Sequence, residues 1–422
     1  MSEPQAKSRK NLKRPRGLLG SKKNADPEPS AKKPRPSDPE ANLDPEIIKV
    51  QDWNDLKELY ENALDAFYGE NPGSALPLVR GVLHECARLV SAHEDPTIIY
   101  SPLDHLEDTE PTEFASSFYT IYASAWYLMY HFARTDSSVL AEGEPEEPVA
   151  YLISALKACE DGQKALGVRK QDRAWDLELI WGRLLIGAAQ SQTGSDDDGG
   201  NEPPSPDSKI SQLAGPDIPT ILRKGMDRIF HAVSHRPTEF KSLDEDETKT
   251  QNERYARTML FTAQDVLALA ENLDQESGSS TSQFDETFFK FAQELFSHVL
   301  GVSDTPEVIR AQGTLGEAQV LLAMGAAIAE RLEGNETESG GETMKNNAIN
   351  LLKTAITKFE SVREQNKHSQ INEESEPLFL EALVTLANIL PEGEEQDTMY
   401  ERYRAEGGVL DGYEEETEDD VE

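Results

Sequence analysis

Twenty consecutive residues, Phe114 to Ala133 (FASSFYTIYASAWYLMYHFA), carry no charge in a chain that is 28% charged. Phe114, Phe118, Ile121, Tyr122, Ala125, Leu128, Met129 and Phe132 recur at helical spacing and make one apolar face, while Tyr119, Ala123, Trp126 and Tyr130 make a second. A helix apolar on two sides has to be enclosed by neighbours on two sides, so the stretch demands a multi-helix body. The pattern predicts a helix over 112–134. Asp108 or Thr109 caps it, Pro111 sits in its first turn, and Arg134 lies where the helix dipole favours a cation. A bilayer span needs about 20 mostly apolar residues. Here Ser116, Ser117, Thr120, Ser124 and His131 interrupt the run, and tyrosines occupy its middle instead of its ends. The segment reads as the spine of a soluble helical core whose tyrosine hydroxyls need partners.

The same periodicity continues on both sides. Trp53, Leu56, Leu59, Tyr60, Ala63, Leu64 and Phe67 form an amphipathic stripe with Asp52 as its cap and Gly69 beyond its end. Further helices are predicted at 75–92, 147–166, 171–191, 217–234, 252–273, 284–300, 306–332, 342–365, 375–390 and 396–405. No alternating β-branched run appears. The expected fold is therefore all-α: a tetratricopeptide-like right-handed superhelix or an irregular bundle of helix pairs. The W-x2-L-x3-Y order of Trp53, Leu56 and Tyr60 matches the first helix of a tetratricopeptide repeat, although Lys57 stands where that repeat prefers glycine. Ala155–Ala158 and Lys353–Ile356 resemble the second helix. The predicted division is a basic tail over 1–45, a helical half over 46–191, an insert rich in acidic residues, Pro and Gly over 192–216, a second helical half over 217–405 and an acidic tail over 406–422.

Charge is distributed unevenly. Residues 1–36 hold eleven Lys/Arg against three Asp/Glu, a surplus of eight, so a chain of net charge −38 leaves −46 for the rest. A body this acidic repels nucleic acid and anionic membranes and attracts basic proteins. The tail is too poor in large apolar side chains to fold alone. Its two basic clusters, Lys7, Arg9, Lys10, Lys13, Arg14 and Arg16 with Lys22 and Lys23, then Lys32, Lys33 and Arg35, read as a nuclear import signal recognised by an import receptor. A nonspecific RNA-binding arm and a solubilising tail are the competing readings. Two distant cysteines, Cys86 and Cys159, fit a reducing compartment, and the N-terminus has no apolar secretion signal.

Catalytic and metal-binding patterns are incomplete. His84-Glu85-Cys86-Ala87-Arg88 begins as H-E-x-x-H, but Arg88 replaces the second imidazole. His231 and His235 share a helix face without a third ligand, and His93-Glu94-Asp95 supplies only the H-x-D part of an iron triad. There is no phosphate loop, nucleophile elbow or Cys/His pair in a supporting context. Asn335-Glu336-Thr337 is a glycosylation sequon, and Ser195 and Thr417 are acidic-flanked phosphoacceptor candidates. The expectation is no catalytic residue, no bound metal, no cofactor, and hence no enzyme.

Three segments carry a resemblance. Lys13-Arg14-Pro15-Arg16-Gly17-Leu18-Leu19-Gly20 is similar to the K-R-P-L-G-L-G signature of the fungal enhancer of translation termination family, departing from it at Arg16 and the extra Leu19. Gly81–Leu89 (GVLHECARL), with His84, Glu85, Cys86 and Arg88, resembles that family's G-I-V-H-E-C-D-R-L. Phe118–Ala123 resembles its F-x-x-I-Y-A. The resemblance implies a nuclear, non-enzymatic protein with a tetratricopeptide-like fold that supports translation termination. In the fission-yeast branch it implies restraint of a 2-oxoglutarate- and iron-dependent prolyl hydroxylase, which links oxygen to hypoxic gene expression. The hydroxylase's client is a basic ribosomal protein of the small subunit, which the family is associated with escorting.

Overall fold

The computed structural model describes residues 45–69, 71–99, 114–193, 209–237, 244–277, 286–334, 341–365 and 369–409. Those residues form α-helices joined by turns and three short 3-10 segments, with no strand among them. The import signal residues Lys7 to Arg35, the signature residues Lys13, Arg14, Pro15 and Gly17, the acidic tail from 410, the sequon, Ser195 and Thr417 lie outside the described residues.

Helices α1 (Pro45–Phe67) and α2 (Leu76–Ala92) form an antiparallel pair in which Leu59 packs on Gly81. The uncharged stretch becomes α3 (Ser117–Thr135), which packs on α2, on α4 (Pro148–Arg169) and on α5 (Trp175–Thr193). It starts later than predicted: Ala115 and Ser116 lie in a turn and Phe114 is not helical, while Asp108, Thr109 and Pro111 fall outside the described residues. Both expected faces are covered, and Tyr127, assigned to neither, is 1% exposed. Rings interlock along this spine, with Trp126 against Tyr151 at 6.0 Å and Phe67 edge-on to Phe132 at 5.7 Å between centroids.

The short α6 (Lys209–Leu213) precedes α7 (Ile218–His235), whose N-cap Asp217 accepts from the Thr220 amide at 2.8 Å. Helix α8 (Glu245–Ser277) begins seven residues before the predicted start. Its first turns hold no large apolar residue, but Asp244 accepts from the Glu247 amide at 2.8 Å while Glu247 accepts from the Asp244 amide at 3.3 Å, a reciprocal cap. Then come α9 (Glu286–Gly301), α10 (Glu307–Gly334), α11 (Gly341–Gln365), α12 (Ser369–Ile389) and α13 (Glu394–Ala405). Helix α12 starts six residues earlier than expected and carries Pro377 inside it.

The predicted break at the insert is not a break in the core. Gly182 of α5 and Gly225 of α7 meet so closely that a Cβ on Gly182 would lie 3.0 Å from the Gly225 carbonyl oxygen and 2.5 Å from Ile229 Cγ1. One apolar core runs from Trp53 to Met324, a second from Leu315 to Leu390, and the two meet along α10. The described residues from 45 to 409 belong to one compact unit. Helices α5 and α7, on either side of the insert, pack directly on each other, because their apolar faces complete each other. No described helix is long and apolar enough to cross a membrane.

Candidate docking cleft

The H-E-C-A-R segment occupies α2, and its residues divide between core and surface. Cys86 is fully buried, and burial pushes its thiol up, as it does for Cys159. Neither is poised as a nucleophile at neutral pH. His84 is exposed. Arg88 holds Glu85 on its own helix and reaches Asp52 of α1 at 2.9 Å, so this pair of acids and one guanidinium fasten α1 to α2. The bond is partly exposed and contributes less than about 1 kcal/mol. These signature residues are a helix clamp in this structure.

The other histidine motifs also resolve into local structure. The His231 and His235 rings stack at 3.9 Å, and His235 Nδ1 lies 2.8 Å from the His231 carbonyl oxygen, to which it donates. Burial, then Arg173 and His235, lower the pKa of His231. His93 closes α2, and Asp95 accepts from the Thr97 amide at 2.9 Å and its hydroxyl at 2.7 Å. Among the described residues no group of three His, Cys, Asp or Glu is placed to hold a metal.

A polar knot lies in the centre of the first core. Arg183 of α5, 6% exposed, lies over the ring of Tyr127, whose hydroxyl donates to Asp265 of α8 at 3.2 Å. Arg134 donates to Gln190 at 2.6 Å, and Gln190 donates to the Asp265 carbonyl oxygen at 2.8 Å. His131 Nε2 is enclosed without a hydrogen-bond partner, and burial drives its pKa down to about 4. Asp265 opposes that shift, while Arg183 and Arg134 add to it. Arg183 and Gln190 are buried, Asp265 is half-buried and Arg134 reaches the surface, so the knot aligns α3, α5 and α8 from the core outward.

A cleft of about 430 Å³ is walled by α8, α10 and α12. Its floor is Ala323, Ala326, Ala327 and Ala329 of α10 with Phe289 and Ile389. Its acids are Glu271 and Asp274 of α8, Glu330 of α10 and Glu381 of α12. The small side chains on this face of α10 leave the space between the helices unfilled. Burial and then the charge of Glu381 raise the Glu271 pKa. Burial also raises Asp274, against the opposing pull of Arg331 at 3.4 Å and with the help of Glu330. Glu271 and Glu381 meet across the cleft as like charges. A lysine or arginine side chain laid along the alanines would cover apolar surface with its stem and relieve the repulsion with its head. None of these residues was singled out from sequence. Glu271 and Asp274 are visible as a pair three apart, but Glu381 arrives from a helix more than a hundred residues away.

No family profile and no curated protein matches the chain. Among solved structures, it is similar to the nuclear import adaptor Nro1 of S. pombe in space group P21, with a TM-score of 0.55 at 14% identity over 86% of this chain and 93% of that one. A second structure, described as the hypoxic regulator of sterol synthesis Nro1, a nuclear import adaptor, gives 0.57 at 16% identity over 87% and 93%. A third, of the same S. pombe adaptor in space group P6522, gives 0.55 at 16% identity over 88% and 95%. The chain therefore shares its helical architecture with Nro1 along most of its described length.

Proposed function

We propose that this protein is a non-enzymatic nuclear adaptor that holds basic client proteins against its acidic helical body. The observation that carries this reading is the alanine-floored cleft with its four carboxylates, set in a fold shared with a nuclear import adaptor. A net charge of −46 beyond residue 36, against the +8 of residues 1–36 that make up the chain's total of −38, attracts the same clients from a distance. The signature resemblance names the clients: a 2-oxoglutarate- and iron-dependent prolyl hydroxylase and its substrate, a basic ribosomal protein of the small subunit. Through them the adaptor serves correct translation termination and hypoxic gene expression. Residues Lys7 to Arg35 bring it into the nucleus on an import receptor.

The deciding experiment titrates the purified protein with the basic ribosomal protein and, separately, with the hydroxylase. Ionic strength is raised stepwise through the range where the screening length falls below about 8 Å. Affinity for the basic client falls steeply with salt; equal affinity at low and high salt rejects the electrostatic mechanism. Removing residues 1–36 leaves the fold intact and the protein in the cytoplasm, and undiminished nuclear accumulation would show the import assignment to be wrong. A second reading, an RNA- or ribosome-binding termination factor acting through its basic tail, rests on the eleven cations of that tail. A shift assay with RNA separates the two, since only the second reading requires a band shift that disappears with the tail.

A further inference from the structure

The last described helix, α13, is attached differently from the rest. Met399 and Tyr403 rest partly buried against the second core but none of its residues is fully buried, whereas α12 beneath it buries Phe379, Ala382, Leu383 and Leu386 to within 1% exposure. Three ion pairs bind it to α11: Lys353 with Glu395, Arg402 with Glu360, and Arg363 with its C-cap Glu406 at 2.8 Å. The guanidinium carbons of Arg363 and Arg402 lie 4.8 and 5.1 Å from the Phe379 ring centroid. Partly exposed ion pairs are weak and are screened by salt. A free helix of fewer than about 12–15 residues is marginal in water, so undocking would also melt it. Both ends turn on glycines with positive φ, Gly393 at 149° and Gly407 at 96°.

Its contacts with α12 fall on the wall of the cleft. Gln396 donates to the Ala387 carbonyl oxygen at 3.0 Å, and the Tyr400 hydroxyl donates to Asn388 Oδ1 at 2.8 Å. Thr385, Asn388 and Ile389 of that same last turn of α12 line the cleft. We propose that α13 is a salt-releasable strap that fastens the α12 wall of the acidic cleft and so sets its affinity for basic side chains. This rests on the reading of the cleft as the docking site. Docked, the strap holds the last turn of α12 in place across from Glu271; released, that turn frays and the cleft loses its shape.

Hydrogen exchange on the full chain tests the strap without any ligand. Amides of 394–405 are slow at about 50 mM salt and become fast at about 500 mM, while α11 and the first turns of α12 stay slow at both. Arg402→Glu makes them fast at low salt, and adding Glu360→Arg restores protection, which excludes general misfolding. Protection of α13 equal to that of α12 at high salt overturns the strap. Calorimetry with a peptide of alternating lysine and alanine then reads the cleft, at low salt throughout. The unaltered chain binds it about fivefold more tightly than the Arg402→Glu chain, and the double variant recovers the affinity, because a preorganised site loses less on binding. Release of the strap with unchanged peptide affinity overturns its control of the cleft. No binding by any form removes the docking site itself, and with it the regulation, whatever the exchange shows.

Discussion

The Arg183 guanidinium carbon sits 4.8 Å from the centroid of the Tyr127 ring, and the hydroxyl of that ring reaches Asp265 at 3.2 Å. One phenol thus mediates between a buried cation and a half-buried carboxylate. Burial alone would lower the Arg183 pKa; Tyr68, Tyr127 and Asp265 outweigh it and hold it up. Removing the cation leaves the ring face and the carboxylate uncompensated. Arg183→Ala is expected to cost about 3 kcal/mol or more in urea unfolding. Tyr127→Phe, which deletes only one hydrogen bond, costs about 1 kcal/mol. Equal costs for the two would mean that the guanidinium is not organising the knot.

His131 makes the same region acid-sensitive. Its folded-state pKa of about 4 lies below the ordinary 6.5, so the native protein keeps the ring neutral where the unfolded chain would protonate it. Stability from this residue is complete above pH 6.5 and is lost as pH falls toward 4. The loss approaches about 3 kcal/mol, since each tenfold change in proton affinity is worth about 1.4 kcal/mol. His131→Phe keeps the ring contact with Tyr127 and flattens that part of the profile. Urea midpoints between pH 7 and pH 4 provide the check, and a histidine-independent slope would refute the assignment.

Helices α5 and α7 belong together across the insert. Glu178 of α5 accepts from Arg228 of α7 at 2.9 and 3.0 Å, and Arg228 in turn lies 3.4 Å from the Trp181 ring centroid. Cutting the chain at a protease site placed within 195–207 is expected to leave both pieces eluting as one species. Gly182→Ala, which drives a Cβ toward Ile229, destabilises the uncut protein by about 2 kcal/mol and lets the cut pieces separate at lower denaturant. Separation of the cut pieces in plain buffer would restore the insert as a domain boundary.

How far sequence reached can be seen at particular residues. The spine was legible because twenty uncharged residues at helical spacing permit little else. The start of α8 was not, since Glu245, Asp246 and Glu247 carry no apolar signal and their helix depends on a reciprocal cap with Asp244. The start of α12 was placed late, since Ser369 to Glu374 offers one apolar residue, Ile371, whose packing in the second core is a long-range contact. The insert looked like a boundary from composition, while the Gly182–Gly225 approach across it is a contact between residues 43 positions apart. The cleft was hidden for the same reason: its acids are ordinary surface glutamates and aspartates until three helices converge on them.

Glu271 and Glu381 offer the sharpest test of that cleft. Burial and the neighbouring charge raise the folded-state pKa of Glu271, so the native protein binds a proton there more readily than the unfolded chain does. The stability that this residue contributes is full below the ordinary carboxylate range and is lost as pH rises through the raised value. Glu271→Gln therefore stabilises the fold at neutral pH and changes little in acid. A bound cation acts in the opposite sense, favouring the ionised form, so docking of the lysine–alanine peptide releases protons wherever Glu271 is partly protonated, and its affinity climbs as pH rises. Calorimetry in two buffers of different ionisation heat measures that release. Glu271→Gln with Glu381→Gln abolishes it and weakens binding by about tenfold, while the same exchange at two exposed acids outside the cleft lining, Glu58 and Glu146, leaves both unchanged. Equal losses from the two pairs would mean that the peptide feels only the overall charge of the body and that the cleft is not its seat.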